Sequence, residues 1–223
     1  MSKQLIVEKE QSFFPKNLGK LVIVLVILLI VTTIASIVFG SRSIGWSAIL
    51  DGLFHPDLQD HESLVVRQRI VRTIFSFMCG AALGVSGALM QSVTRNPIAD
   101  PSILGVNTGA SLFVVGGIAF LNISAASEYV WLAIAGALIT AIFVFTIGSL
   151  GYNGATPLKL VLAGAATSAI LSSLVTAIMI PRQNVMDQFR FWQVGSVGAG
   201  TWDSIHLMLP FLIVGVLIAI FAA

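Results

Sequence analysis

Six apolar runs, each near the ~20 residues an α-helix needs to cross a bilayer, dominate the sequence. They cover roughly residues 19–40, 66–92, 102–121, 129–150, 157–180 and 205–223. A backbone surrounded by lipid must satisfy its hydrogen bonds within itself, so runs of this length fold as helices. The rest of the composition agrees. Hydrophobic residues make up 57% and charged residues 10%, with a mean hydropathy of +0.96. Soluble domains carry roughly 25% charged residues. The expected fold is all-α, a polytopic membrane bundle with six transmembrane helices over 19–223, preceded by a cytoplasmic segment over 1–18.

The connections are 41–65, 93–101, 122–128, 151–156 and 181–204. The short ones make consecutive helices close neighbours. The first and last are long and carry most of the charge. The first run is too long for the apolar region of a signal peptide and has no convincing cleavage site, so it reads as a retained anchor. Counting basic residues does not orient the bundle, because six fall on each side. Lys3, Lys9, Lys16 and Lys20 precede the first helix and favour a cytoplasmic N-terminus. Arg67, Arg69 and Arg72 then crowd the outer entrance of the second helix, against the usual bias, which hints at a function. The sequence stops at IAIFAA inside an apolar run, so it reads as a C-terminally truncated part of a longer bundle.

The stretch TRNPIADPSILGVNTGAS, residues 94–111, breaks the apolar pattern. Asn96-Pro97 forms a turn, because the residue before proline is pushed out of the α region. Asp100 suits an N-cap, and Pro101 suits the first helical position, having no N–H to lose. Arg95 is placed to pair weakly with Asp100. Asn107 then falls inside the next helix, where an inter-helix hydrogen bond is expected. Gly105 and Gly109 form one GxxxG, and Gly80 and Gly84 another. Small residues at this spacing let membrane helices approach closely, either as plain packing or beside a pathway.

In the fifth run, PLKLVLAGAATSAILSSLVTAIM, Gly164, Ser168, Ser172 and Thr176 recur every four residues and share one face. The hydroxyls either bond back to their own helix or line a polar path. No acid or base lies deep in any run, which argues against a proton relay. The nucleotide-binding GxxxxGK[ST], the HExxH and the GxSxG patterns are all missing, so no enzymatic role, catalytic residue or cofactor is expected. His55, His61 and His206 lack ligand spacing, so no metal site is expected, and the lone Cys79 has no partner for a disulfide. The basic residues form no stripe for nucleic acid. Phe189, Phe191, Trp192 and Trp202 suit an interfacial aromatic belt.

The residues RIVRTIFSFMCGAALGVSGALMQSVTRNPIADPSILGVNTGAS resemble the signature region of the iron-siderophore (FecCD-type) permease family of ABC importers, which includes the cobalamin permease. The likeness continues in PLKLVLAGAATSAI and FWQVGSVGAGTWDSI. It implies a multi-pass permease in the plasma membrane of a prokaryote, the N-terminal part of a bundle of about ten helices. The implied partners are a second permease subunit, identical or not, cytoplasmic ATPase subunits and an extracytoplasmic substrate-binding protein. The implied substrate is a ferric siderophore, with cobalamin or haem as alternatives. A truncated, non-transporting membrane subunit is a further alternative. By the same resemblance, Arg69 and Arg72 contact the binding protein, Ser168, Ser172 and Thr176 line the pathway, and Thr156 belongs to the cytoplasmic gate. Where the family carries proline before the second arginine, this chain carries Val71.

Overall fold

The computed structural model describes residues 17–40, 45–55, 60–152 and 154–222. Eight α-helices occur among them: α1 (Leu18–Val38), α2 (Trp46–Phe54), α3 (His61–Thr94), α4 (Val106–Gly116), α5 (Ala126–Ser149), α6 (Pro157–Met179), α7 (Gln183–Val194) and α8 (Trp202–Ala222). Lys3, Lys9 and Lys16, on which the expected orientation leaned, lie outside the described residues. The chain divides inside α3 into two compact units, one up to Thr73 and one from Ile74.

In the first unit α1 is apolar on all sides, and none of its residues is buried. Ser36 and Thr73 join α1 to α3 through a 2.8 Å hydroxyl contact. The short helix α2 lies against the start of α3, where a Cβ on Gly52 would press on the Val66 side chain. Val66 and Ser63 are fully buried there.

In the second unit α4 packs against both α5 and α6. Glycines set the separations. A Cβ on Gly109 would strike the Thr140 hydroxyl and the Gly136 carbonyl, and one on Gly136 would strike the Gly109 carbonyl. The α4 and α5 backbones therefore approach closely at Gly109 and Gly136, as small residues permit in membrane bundles. Val114, Val115, Ile118, Val175, Val185 and Phe189 form a core where α4, α6 and α7 converge. Trp131 of α5 meets Phe211 of α8 edge to face at 5.3 Å.

Five helices are long and apolar enough to cross a membrane: α1, α3, α5, α6 and α8. The third expected span, 102–121, is built differently. It opens with a 3-10 turn over Pro101–Leu104, bends at Gly105 in the left-handed region (φ 69°), runs as α4, and ends in a π turn over Gly117–Leu121. Its continuous helical part, Val106–Leu121, covers about 24 Å at 1.5 Å per residue, short of the ~30 Å hydrocarbon core. Gly105 thus bends the chain rather than sitting inside a helix.

Two long connections also contain helices. Residues 41–65 hold α2 and the start of α3, and 181–204 hold α7. Because α3 begins at His61, its arginines lie two to three turns inside the helix rather than at its entrance. The 34 residues of α3 extend about 51 Å, beyond the hydrocarbon thickness. Phe189, expected in an aromatic belt, is 2% exposed and belongs to the core. It sits on the inward face of the amphipathic α7, whereas Phe191 and Trp202 are exposed.

Candidate functional site

The break between α3 and α4 is a compact, self-bonded turn. Asn96 turns the chain by accepting the Ile98 N–H on its Oδ1 at 3.1 Å, and its carbonyl accepts from Ala99 N–H at 3.1 Å. Arg95 takes a left-handed conformation (φ 49°) just after Thr94, where α3 ends. Pro97 follows in the turn, and Pro101 opens the 3-10 segment. Asp100 caps that segment by accepting the Ser102 N–H at 2.7 Å. Arg95 and Asp100 form no ion pair; the Asp100 carboxylate bonds Ser102. Asn107 is exposed, and its side chain makes no inter-helix hydrogen bond; its carbonyl accepts from Ser111 Oγ at 2.8 Å.

Hydrogen bonding at Ser102, its side chain first and its backbone second, holds the Asp100 carboxyl below the usual carboxylate range. A depressed folded-state pKa means the cap is at full strength above the ordinary carboxylate range. It is lost as pH falls through the depressed value. Amide hydrogen exchange at 102–104, corrected for its intrinsic rate, should therefore stay constant above about pH 4 and accelerate below it. Asp100→Asn keeps an acceptor oxygen without the titration and should flatten that dependence.

The expected polar face of α6 divides in two. Its first half is packed against its own chain. A Cβ on Gly164 would land on the Ile103 carbonyl. Ser168 Oγ accepts from Thr108 Oγ1 at 3.3 Å, beside Gly105. The 3-10 turn thus seats against Gly164 and Ser168, two to three turns along α6. The second half, Ser172 and Thr176, is exposed in this chain. Thr176 Oγ1 donates to the Ser172 carbonyl at 2.9 Å, which satisfies its proton and leaves lone pairs facing outward. Gly80 and Gly84, expected to mediate close packing, have nothing within 4 Å of a Cβ position, so that face of α3 is open among the described residues.

At the start of α6, Thr156 is the N-cap, accepting the Lys159 N–H at 3.3 Å. The Lys159 ammonium folds back over the turn that joins α5 to α6. It donates to the carbonyls of Leu150 (3.3 Å), Tyr152 (2.9 Å) and Gly154 (3.0 Å). Sequence reasoning passed over this residue, because backbone acceptors leave no side-chain signature.

The two arginines expected at the docking surface differ in exposure. Arg69 is 5% exposed, and its guanidinium donates to the Ile37 carbonyl at 3.0 Å and the Val38 carbonyl at 2.9 Å. It thus satisfies orphan carbonyls at the end of α1 with a cation at the negative end of the helix dipole. Arg72 is half-buried and keeps part of its side chain at the surface. Arg69→Ala should destabilise the protein by about 2 kcal/mol, since each buried acceptor left unmet costs roughly 1–3 kcal/mol. Thermal melting in detergent checks this, with Arg72→Ala as the milder control.

An all-α bundle of membrane-length helices, with a close-packed α4–α5–α6 core and a hydroxyl-bearing face of α6 left open, defines a polytopic membrane helix bundle. The sequence profile of the FecCD transport family matches residues 28–223, so the chain belongs to that family. It is 40% identical over 192 residues to the ferric enterobactin transport system permease protein FepD of Escherichia coli, covering 86% of this chain and 58% of the relative. It is 38% identical over 181 residues to the Fe(3+)-citrate import system permease protein YfmD of Bacillus subtilis, covering 81% and 53%. A solved metal-chelate type ABC transporter in an inward-facing conformation matches with a TM-score of 0.65 at 24% identity, over 88% of this chain and 59% of that one. The chain spans just over half the length of these curated relatives.

Proposed function

We propose that this chain is the membrane-spanning part of a permease subunit of an ABC importer, carrying a ferric siderophore chelate across the plasma membrane of a prokaryote. Family membership over residues 28–223 carries this reading, since the relatives named above are permeases for ferric enterobactin and ferric citrate. The chain lacks a nucleotide-binding motif, so a separate cytoplasmic ATPase supplies the energy. The N-terminus is cytoplasmic. This places the 95–100 and 150–156 turns inside and α7 outside.

In this arrangement the exposed half of the α6 face, Ser172 and Thr176, lines a path completed by a second permease subunit, with Ser168 at its packed end. Neutral hydroxyls suit a large chelate, because they hydrogen-bond it weakly enough to let it pass. Thr156 and its turn close the cytoplasmic end. Docking of an extracytoplasmic binding protein falls to Arg72, and Arg69 supports it by fixing α1. Arg72→Glu should weaken capture of the loaded binding protein, more at low salt than at high salt, when compared at equal amounts of folded protein. Surface-immobilised binding protein measures this, and equal affinity at all salt concentrations removes Arg72 from the interface.

The test of the function is uptake of radioactive iron, supplied as a ferric siderophore, by cells with and without the gene for this chain. Loss of energised uptake on deletion and return on complementation support the reading. Unchanged uptake of every ferric chelate tried, with loss of cobalamin or haem uptake instead, would reassign the substrate.

A further inference from the structure

We infer that Lys159 is a positioning residue that locks the α5–α6 turn and, through it, seats Thr156. The inference rests on the proposed gating role of that turn. A lysine in the first turn of a helix sits at the positive end of the dipole, where a cation is disfavoured. Lys159 occupies such a place in α6, so something must hold it.

Three carbonyls do. The first, Leu150, is the C-cap of α5, where the dipole is negative and a cation is favoured. The others, Tyr152 and Gly154, lie at alternate positions of the turn. An ammonium has three donors, and here each meets one carbonyl. Gly151 (φ 86°) and Gly154 (φ 64°) take left-handed conformations, which other residues adopt with strain. These glycines let the backbone turn its carbonyls onto the ammonium.

The same residue fixes Thr156 from the other side, since the Lys159 N–H donates to the Thr156 hydroxyl. Main chain and side chain of Lys159 therefore grip the two ends of the turn. Without the ammonium, three carbonyls lose the donor they share. The expected consequence is a mobile turn, with α6 itself intact.

The test places a nitroxide spin label on Ala155→Cys in the Cys79→Ser background, in the full-length permease in lipid nanodiscs. The unsubstituted Lys159 should give a motionally restricted spectrum. Lys159→Met, of similar length but without donors, should give a mobile one. Lys159→Arg, whose guanidinium carries five donors, should stay restricted. Lys159→Gln keeps an amide donor without charge, should fall between, and serves in place of the methionine variant if that fails to fold. A Lys159→Met or Lys159→Gln spectrum identical to that of the unsubstituted protein overturns the inference. Leakage of ferric siderophore from vesicles without ATP tests the gate separately. A several-fold rise with the mobile turn supports both readings. A mobile turn without leakage keeps the Lys159 assignment and counts against Thr156 as gate.

Discussion

Ser172→Trp should cut uptake of ferric siderophore by about tenfold or more while leaving the amount of assembled permease unchanged, since pore diameter limits passage of a bulky solute. Ser172 is exposed on α6, so an indole there need not displace a buried neighbour. Its volume enters whatever space that face borders. Ser173 supplies the control. It is also exposed, lies about 100° around the helix, and returns its hydroxyl proton to the Ala169 carbonyl. Ser173→Trp should leave uptake closer to normal. Equal loss from both variants would point to general damage rather than a blocked path. Normal uptake in Ser172→Trp would remove α6 from the lining.

Gly164→Val has the other large expected effect, and it falls on folding rather than transport. The new Cβ would coincide with the Ile103 carbonyl and crowd the Leu104 backbone. Backbone cannot rotate away as a side chain can, so α6 must separate from the 3-10 turn. Overpacking of this kind costs about 3 kcal/mol or more when the neighbour cannot yield. Separation also breaks the Thr108–Ser168 contact and frees the entry to α4. The protein should melt well below the parent and be cleared from the membrane. Gly80→Val, with nothing within 4 Å, should melt close to the parent. Equal melting of both variants would contradict the α4–α6 packing described above.

The parts of this fold that could be read from sequence were those governed by local chemistry. Apolar length announces a crossing helix whatever surrounds it, and α1, α3, α5, α6 and α8 were legible on that ground. Asp100-Pro101 was legible because a cap and a nitrogen without a proton act on the next few residues. The bend in the third span was not, because apolar length alone does not show where a helix starts. A glycine in an apolar run fits either a helix contact or a left-handed bend, and Gly105 proved to be the bend. The helices α2 and α7 were hidden in connections because 9 and 12 residues are too few for a membrane signal.

The partners of the charged residues were not legible for a related reason. Arg69 lies 31 and 32 residues from the carbonyls it serves, and nothing in its neighbourhood names them. Of the three clustered arginines, Arg69 is buried against the end of α1, which the cluster alone does not show. Lys159 was invisible in the same way. The Ser168–Ser172–Thr176 stripe was legible as a face. Its division into a packed and an open half depends on where the 3-10 turn seats, which only the tertiary structure specifies.

The central claim is that the open half of the α6 face borders a path for an iron chelate. Its most direct test is thiol labelling in membranes. Ser172→Cys and Thr176→Cys, each in the Cys79→Ser background, are exposed to a water-soluble, membrane-impermeant thiol reagent, with Phe143→Cys on α5 as the lipid-facing comparison. The account predicts that both α6 cysteines react, that Phe143→Cys does not, and that ferric siderophore with its binding protein slows the α6 reactions. Cysteines at 172 and 176 as unreactive as the one at 143, in every nucleotide state, would contradict it.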